Sequence, residues 1–161
     1  MTETVGAARR IGLISDTHGL VRPGVHAALA GVELILHAGD VGGDEILDEL
    51  EIIAPVRAVY GNTDAPGHSR LRESLDIEID GLRIHVSHGH EVGAPTPARL
   101  VERYDADVVV YGHTHQQLVT RVGRQLIVNP GAAGPRRFRL EPSVGVLTIE
   151  RGAADVELRP L

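Results

Sequence analysis

The chain has 161 residues, a length that fits one domain with a sizeable core and leaves little room for two. Its formal net charge of −6 argues against nucleic-acid binding through a broad basic face, because such binding requires clustered Lys and Arg. With 3 Tyr, 1 Phe and no Trp, the core must be built from aliphatic side chains. The absence of Cys excludes disulfides, thiolate nucleophiles and Cys-type zinc sites.

The start of the chain does not have the pattern of a targeting segment. Residues 1–10 contain Glu3 and no apolar core, unlike a secretory signal. No stretch approaches the roughly 18 apolar residues that cross a membrane. We therefore expect a cytoplasmic protein with no membrane partner, consisting of an N-terminal tail over residues 1–9 and a single domain over residues 10–161.

The first half of the chain alternates short apolar strands with helices. The pattern predicts strands over residues 11–15, 32–37 and 56–60, and helices over residues 25–30 and 44–53. In the second of these helices, Ile46, Leu47, Leu50 and Ile53 form one apolar stripe. Such alternation indicates βαβ units around a parallel sheet.

The second half of the chain is dominated by hairpins. Asp80-Gly81 separates two apolar runs and predicts a type I′ turn, which requires two positive φ angles. A helix over residues 96–104 follows, with Pro97 near its first position. The remaining predicted strands cover residues 75–79, 82–87, 108–111, 117–122, 125–128, 144–150 and 155–159. Together the elements predict one α/β domain of two packed mixed sheets flanked by helices.

Metal-capable side chains follow six of these strands. The segments are Asp16-Thr17-His18, Gly39-Asp40, Gly61-Asn62, His88-Gly89-His90, Gly112-His113-Thr114-His115 and Asn129-Pro130-Gly131. Strand ends in α/β sheets meet at one crevice, and the glycines would let the backbone turn there while their neighbours point inward. Gly-Asp and Gly-Asn alone indicate ordinary turns. Turn chemistry does not explain the histidines beside them, so the whole set predicts a metal site.

This ordered series resembles the motifs of the calcineurin-like metallophosphoesterases. The short chain and its Asn-Pro-Gly segment are similar to the compact YfcE-type phosphodiesterases, and the resemblance spans residues 11–137. It implies a four-layer α/β/β/α sandwich. It also implies two divalent metal ions, which would lie ~3.5–4 Å apart if one carboxylate bridged them.

The resemblance assigns the metal ligands to two overlapping sets. Asp16, His18 and His115 would hold one ion, Asn62, His88 and His113 would hold the other, and Asp40 would bridge both. Imidazoles and carboxylates without thiolates suit Mn, Ni, Fe, Co or Zn better than Mg or Ca. We take manganese as the first expectation among these metals.

The implied reaction is attack on a small phosphoester, most naturally a phosphodiester, by a hydroxide shared between the two metals. A phosphomonoesterase is an alternative, as is a non-catalytic protein-binding scaffold resembling the retromer subunit of this fold. The complete ligand set favours an enzyme over that scaffold. A nuclease would need a basic face or extra regions that the chain lacks. Exposed hairpin edges in the last third would also allow homo-oligomers to form.

The proton donor for the leaving group is the open position. Many larger members of the family carry a histidine after Gly-Asn, where this chain has Thr63. His90, two residues beyond His88, is the first candidate for the catalytic acid. Asp64 is expected to support catalysis by orienting a histidine that lies behind the metal ligands.

Two other histidines are interpreted as structural. His37 ends an apolar strand, which indicates a buried, hydrogen-bonded ring near Asp40. His85 lies on a strand opposite the Ile84 and Val86 face, which indicates a surface or second-sheet position.

Overall fold

The computed structural model describes residues 8–137 and 139–161, so residues 1–7 of the predicted tail lie outside the described residues. The strands are β1 (Arg9–Ile14), β2 (Leu34–His37), β3 (Val56–Val59), β4 (Leu71–Arg72), β5 (Leu75–Ile79), β6 (Leu82–Val86), β7 (Val108–Val110), β8 (Leu118–Val122), β9 (Gln125–Asn129), β10 (Ser143–Glu150) and β11 (Ala153–Pro160). The helices are α1 (Gly24–Ala28), α2 (Asp44–Glu51) and α3 (Pro97–Arg103), with a 3₁₀ turn at His90–Val92.

The strands form two mixed sheets. The first has the order β11-β10-β1-β2-β3-β4, in which β1 to β4 are parallel and β10 and β11 pair in antiparallel fashion. The second has the order β5-β6-β7-β9-β8, in which β6, β7 and β9 are parallel. Each sheet therefore has a parallel centre whose strands all end at the side where the polar motifs follow.

The core is aliphatic, as the composition requires, and it is divided into layers. One cluster, including Leu13, Leu36 and Val110, lies between the two sheets. The first sheet is covered on its outer face by α1 and α2, and the second sheet by α3, whose Leu100 is fully buried. Each large aliphatic side chain buried in this way contributes roughly 1.5–3 kcal/mol relative to exposure. The four-layer α/β/β/α arrangement is confirmed.

Each predicted element is present, with bounds that shift by two residues or fewer. Asp80 and Gly81 have φ values of 48° and 83°, as a type I′ turn requires. Thr96 caps α3 by accepting a hydrogen bond from the Arg99 N–H. The two-residue strand β4 and the 3₁₀ turn were not predicted, because such short segments carry no periodic pattern. Over the described ranges, no helix is long and apolar enough to span a bilayer.

Candidate metal centre

The loops that follow the parallel strands bring the polar motifs together, with an unusual backbone. In these loops, five described residues other than glycine have positive φ values: Asp16 at 54°, His18 at 45°, Asp40 at 55°, His113 at 73° and His115 at 63°. Left-handed backbone of this kind costs of order 1 kcal/mol or more for residues with a Cβ atom, and it concentrates at functional sites. The expected glycine turns are present as well, at Gly39 with a φ of 104° and at Gly89 with a φ of 102°. The candidate ligands therefore share these tight turns with their neighbouring glycines.

Gly61 and Gly112 leave room for side chains of the neighbouring loops. A Cβ atom added to Gly61 would lie 2.0 Å from Asp40 Oδ1. One added to Gly112 would lie 2.0 Å from Ser15 Oγ and 2.6 Å from Asp16 Oδ2. Neither glycine has a positive φ, so both positions require glycine because of the close approach of these side chains.

The buried carboxylate of Asp16 uses its two oxygens differently. Oδ2 accepts hydrogen bonds from Ser15 Oγ at 2.6 Å and from the His113 N–H at 3.1 Å. Oδ1 has no hydrogen-bond partner among the described residues. It faces three imidazole Nε2 atoms, those of His115 at 3.3 Å, His18 at 3.7 Å and His88 at 3.8 Å. One oxygen is thus anchored by the protein, and the other is directed at a group of nitrogens.

The Asp40 carboxylate also uses its two oxygens differently. Its Oδ1 accepts hydrogen bonds from the Thr63 N–H at 3.0 Å and from Thr63 Oγ1 at 2.7 Å. Its Oδ2 lies 3.2 Å from His88 Nε2 and 3.6 Å from His18 Nε2. Asp16 and Asp40 therefore each present one oxygen to the same two imidazoles.

His88 is held in the tautomer that a metal ligand needs. Its ring is fully buried, and its Nδ1–H donates to the Ala38 carbonyl at 2.8 Å. Nε2 is left with a lone pair and has no hydrogen-bond partner in the described part of the chain. Metal-binding histidines commonly donate their second nitrogen to a carbonyl or carboxylate in this way.

The electrostatics of the cluster also fit a cation. Burial would raise the pKa of the Asp16 carboxyl, but the close imidazoles of His115 and His18 outweigh it and hold that pKa well below its usual value. Despite burial, His88 and the hydrogen bonds from Thr63 lower the pKa of Asp40 to about 2. The carboxylate of Asp16 raises the pKa of His18, and the carboxylates of Asp40 and Asp16 raise that of His88 against the effect of burial. The two buried carboxylates thus favour positive charge at this cluster, which bound metal ions would supply.

The structure brings most of the predicted ligands together. Two groups of three ligand atoms lie within 4.8 Å of one another, namely Asp16, His18 and His115, and Asp16, Asp40 and His88. The ring of His113 stands edge-on to that of His88, with centroids 5.2 Å apart. Asn62 follows β3 beside Gly61, and its side chain is exposed. Its role as a ligand stays a prediction.

The two residues predicted to act in catalysis occupy different places. The ring of His90 is partly exposed and lies 5.3 Å from that of His88 and 6.4 Å from that of His113. The Asp64 carboxylate accepts hydrogen bonds from three backbone N–H groups, those of Val41 at 3.0 Å, Gly42 at 3.1 Å and Gly61 at 2.9 Å. Asp64 therefore connects the loop of Asp40, which follows β2, to the loop of Asn62, which follows β3. Within the described chain, no histidine ring is hydrogen-bonded to Asp64.

His37 connects the loop of Asp16 to the loop of Asp40, and its predicted burial is confirmed. Its Nδ1 accepts from the Gly39 N–H at 3.0 Å, so its Nε2–H donates to Thr17 Oγ1 at 2.9 Å. The Thr17 hydroxyl in turn donates to the Val41 carbonyl at 2.7 Å. Burial lowers the pKa of His37 to about 4, which keeps the ring neutral as this network requires.

Sequence reasoning missed the hydroxyl groups that anchor the carboxylates. The apolar pattern places Ser15 only at the end of a strand, and Thr63 is notable in the sequence only because a histidine is absent there. The available signal was the position of each hydroxyl beside a metal-capable residue, Ser15 before Asp16 and Thr63 after Asn62.

A polar groove lies beside the cluster and is lined on one side by His115. Its other lining residues are Gln116, Gln117, Arg139, Leu140 and Glu141. Arg139 and Glu141 give this groove one cationic and one anionic side chain beside His115.

Comparison with known proteins identifies the family. Residues 10–152 match the calcineurin-like phosphoesterase superfamily domain. A probable metallophosphoesterase of Methanothermobacter thermautotrophicus is 37% identical, over 92% of this chain and 90% of its own. A phosphodiesterase of Methanocaldococcus jannaschii is 31% identical, over 88% of this chain and 94% of its own.

Solved structures share the fold. The zinc complex of Vps29 from Entamoeba histolytica has a TM-score of 0.72 at 25% identity, covering 94% of this chain and 98% of its own. The YfcE phosphoesterase of E. coli has a TM-score of 0.66 at 24% identity, covering 86% and 87%. The ordered strand-end motifs, the two-sheet fold and the match across residues 10–152 agree: this chain belongs to the calcineurin-like phosphoesterase superfamily.

Proposed function

We propose that this protein is a dimetal-dependent hydrolase of phosphodiesters. The observation that carries the proposal is a pair of carboxylate oxygens, Asp16 Oδ1 and Asp40 Oδ2. Both oxygens face the Nε2 atoms of His18 and His88. The second oxygen of each carboxylate is instead held by a hydroxyl group, that of Ser15 or of Thr63. An ordinary buried ion pair would leave no reason for three imidazoles to approach one oxygen that makes no hydrogen bond. A metal centre supplies that reason.

The proposed ligand sets share Asp40 between two ions. Asp16, His18 and His115 complete one set, and Asn62, His88 and His113 complete the other. The Nε2 atoms of His18 and His115 lie 3.4 Å apart, close enough to approach a common ion. The mixed imidazole and carboxylate donors favour manganese, with Ni, Fe, Co and Zn as alternatives.

When bound, such ions supply a hydroxide nucleophile near neutral pH and neutralise charge on the phosphoryl oxygens. The protein's own groups hold this arrangement in place. Ser15 and Thr63 fix the carboxylates, Asp64 and His37 fix the loops, and His90 stands beside the His88 and His113 rings as the proposed proton donor. Its proton would pass to the leaving oxygen as the phosphorus–oxygen bond breaks.

Preference for a diester over a monoester is supported by the similarity to the phosphodiesterase of Methanocaldococcus jannaschii. The groove beside His115 offers room for a second substituent of a diester, and it carries Arg139. A monoester would leave that groove without a ligand.

A protein-binding scaffold is the competing function, since Vps29, named for vacuolar protein sorting, shares the fold. A Vps29 structure contains zinc, so metal binding on this fold does not by itself establish hydrolysis. Hydrolysis and metal content must therefore be measured on the same samples.

The test uses metal-free protein reloaded with manganese. We expect about two ions per chain and turnover of bis(p-nitrophenyl) phosphate that exceeds turnover of the monoester p-nitrophenyl phosphate. Asp40→Asn should lose both ions and activity, while Asp155→Asn, a matched change at an exposed position on β11, should lose neither. Fewer than one ion per chain without hydrolysis would favour the scaffold instead.

A further inference from the structure

The turn that carries His88 and His90 is held from outside the metal centre. Gly89 adopts a φ of 102°, and His90 then begins a single 3₁₀ turn, so the two rings diverge from one short segment. A 3₁₀ turn of three residues has little stability of its own. The position of His90 therefore depends on what holds this turn.

Glu91 makes two hydrogen bonds that hold it. Its Oε1 accepts from the Gly89 N–H at 2.9 Å, and its Oε2 accepts from the Tyr104 hydroxyl at 2.8 Å. Burial would raise the pKa of Glu91, but the hydrogen bonds from its own N–H, from the Tyr104 hydroxyl and from the Gly89 N–H outweigh it and keep the pKa below its usual value. Hydrogen bonds to an ionised carboxylate are shorter and stronger than neutral ones. The Glu91 carboxylate thus links the turn to Tyr104.

Tyr104 is itself fixed by the second sheet. Its ring stacks on that of His85, with centroids 3.7 Å apart, and its carbonyl accepts from Gln125 Nε2 at 2.8 Å. His85 is 3% exposed and lies on β6 of the second sheet, so the surface alternative of the prediction is wrong and the second-sheet alternative is confirmed. Its Nδ1–H donates to Asp76 at 2.8 Å, which sets the plane of the ring under Tyr104.

We propose that Glu91, held by Tyr104, is the positioning residue that places His90 beside the metal centre. The inference rests on the proposed function, because the position of His90 affects the rate of hydrolysis only when the leaving group needs a proton. Transfer from His90 would form the oxygen–hydrogen bond of the departing alcohol and leave a neutral imidazole. Glu91 acts by holding the turn, and its Oε1 also lies 3.9 Å from His90 Nδ1.

Two diaryl phosphates of the same charge, which differ only in their para nitro groups, provide the activity test. Bis(p-nitrophenyl) phosphate releases an activated phenolate, and diphenyl phosphate releases a phenolate that benefits from an acid. Because a displacement of 1 Å costs roughly 100-fold, we expect Glu91→Ala to lower kcat on diphenyl phosphate by about 10- to 100-fold. The loss on the nitrophenyl diester should stay within about threefold. Glu91→Gln keeps an acceptor for the Gly89 N–H and should retain most of the rate.

A double variant separates positioning from a general loss of structure. In a His90→Ala background, Glu91→Ala should change the diphenyl phosphate rate by less than about twofold, because neighbours that act as one unit are not additive. Glu102→Ala, an exposed change on α3, is the matched control and should leave both rates unchanged. Equal losses on both substrates, or additive losses in the double variant, would overturn the proposal.

A spectroscopic measurement on metal-free protein needs no activity. The ring signals of His90 should shift in Glu91→Ala and in Tyr104→Phe but stay near their original positions in Glu91→Gln, with His26 on α1 as an internal reference. Unmoved His90 signals in Glu91→Ala would refute the positioning role. If the wild-type protein hydrolyses neither diester, the proposed function fails, and the ring signals still decide whether Glu91 positions His90.

Discussion

Ser15→Ala is the substitution that most sharply tests how the centre is held. It removes one oxygen atom, from a side chain that is 0% exposed and whose hydroxyl donates to Asp16 Oδ2 at 2.6 Å. The Asp16 carboxylate would keep one described donor to that oxygen, the His113 N–H at 3.1 Å. It would then be free to rotate its other oxygen away from the imidazoles.

The expected magnitude follows from the charge on the acceptor. A hydrogen bond to a charged group is worth about 1.5–3 kcal/mol, and the loss of an outer partner of a metal ligand typically costs 10- to 100-fold in metal affinity, or about 1.4–2.8 kcal/mol. The two ranges agree. We therefore expect Ser15→Ala to weaken manganese binding by about 10- to 100-fold.

The measurement is a calorimetric manganese titration of the metal-free variants, with thermal unfolding followed in parallel. Ser143→Ala is the matched control: its hydroxyl is equally buried and donates to the Pro130 carbonyl at 2.7 Å, a neutral acceptor outside the cluster. It should lose about 1 kcal/mol of stability and no metal affinity. If Ser15→Ala bound manganese as tightly as the wild type, the anchoring of Asp16 would be refuted.

Three further outcomes are expected. Because the pKa values of His18 and His88 are raised without metal, manganese binding should release protons, and the manganese affinity should fall as the pH drops from about 8 to 6. Calorimetry in buffers of different ionisation heat measures this release, and finding no release would contradict the prediction. Arg139→Glu should raise KM for the anionic diester by about 3- to 10-fold with kcat retained, an effect that salt should reduce; an unchanged KM would exclude a role in steering. Gly112→Ala should abolish metal binding through its contact with Ser15, whereas Gly67→Ala, with nothing within 4 Å, should not; retained binding in Gly112→Ala would disprove the packing argument.

Much of the fold could be predicted because its signals are local. The apolar runs that became β1, β2 and β3 are uninterrupted, and Asp80-Gly81 has the φ signs that its hairpin needs. The ordered polar residues at strand ends predicted one convergent site, because parallel strands in one sheet must end at the same edge. These inferences needed no knowledge of which sheet a strand would join.

What could not be predicted depends on contacts between distant segments. Thr63 anchors a carboxylate 23 positions earlier in the chain, and Asp64 binds amides of that same distant loop. The burial of His85 results from Tyr104 stacking on it across α3 and β6, which the alternation along one strand does not encode. The positive φ values of Asp16 and Asp40 are likewise imposed by packing, since aspartate does not require them.

The central claim is that Asp40 lies between two metal ions, and anomalous diffraction from manganese-loaded crystals tests it most directly. We expect two peaks about 3.5–4 Å apart, one beside Asp16, His18 and His115 and the other beside His88 and His113, with the Asp40 carboxylate contacting both. A single peak, or a pair that does not share Asp40, would contradict the account.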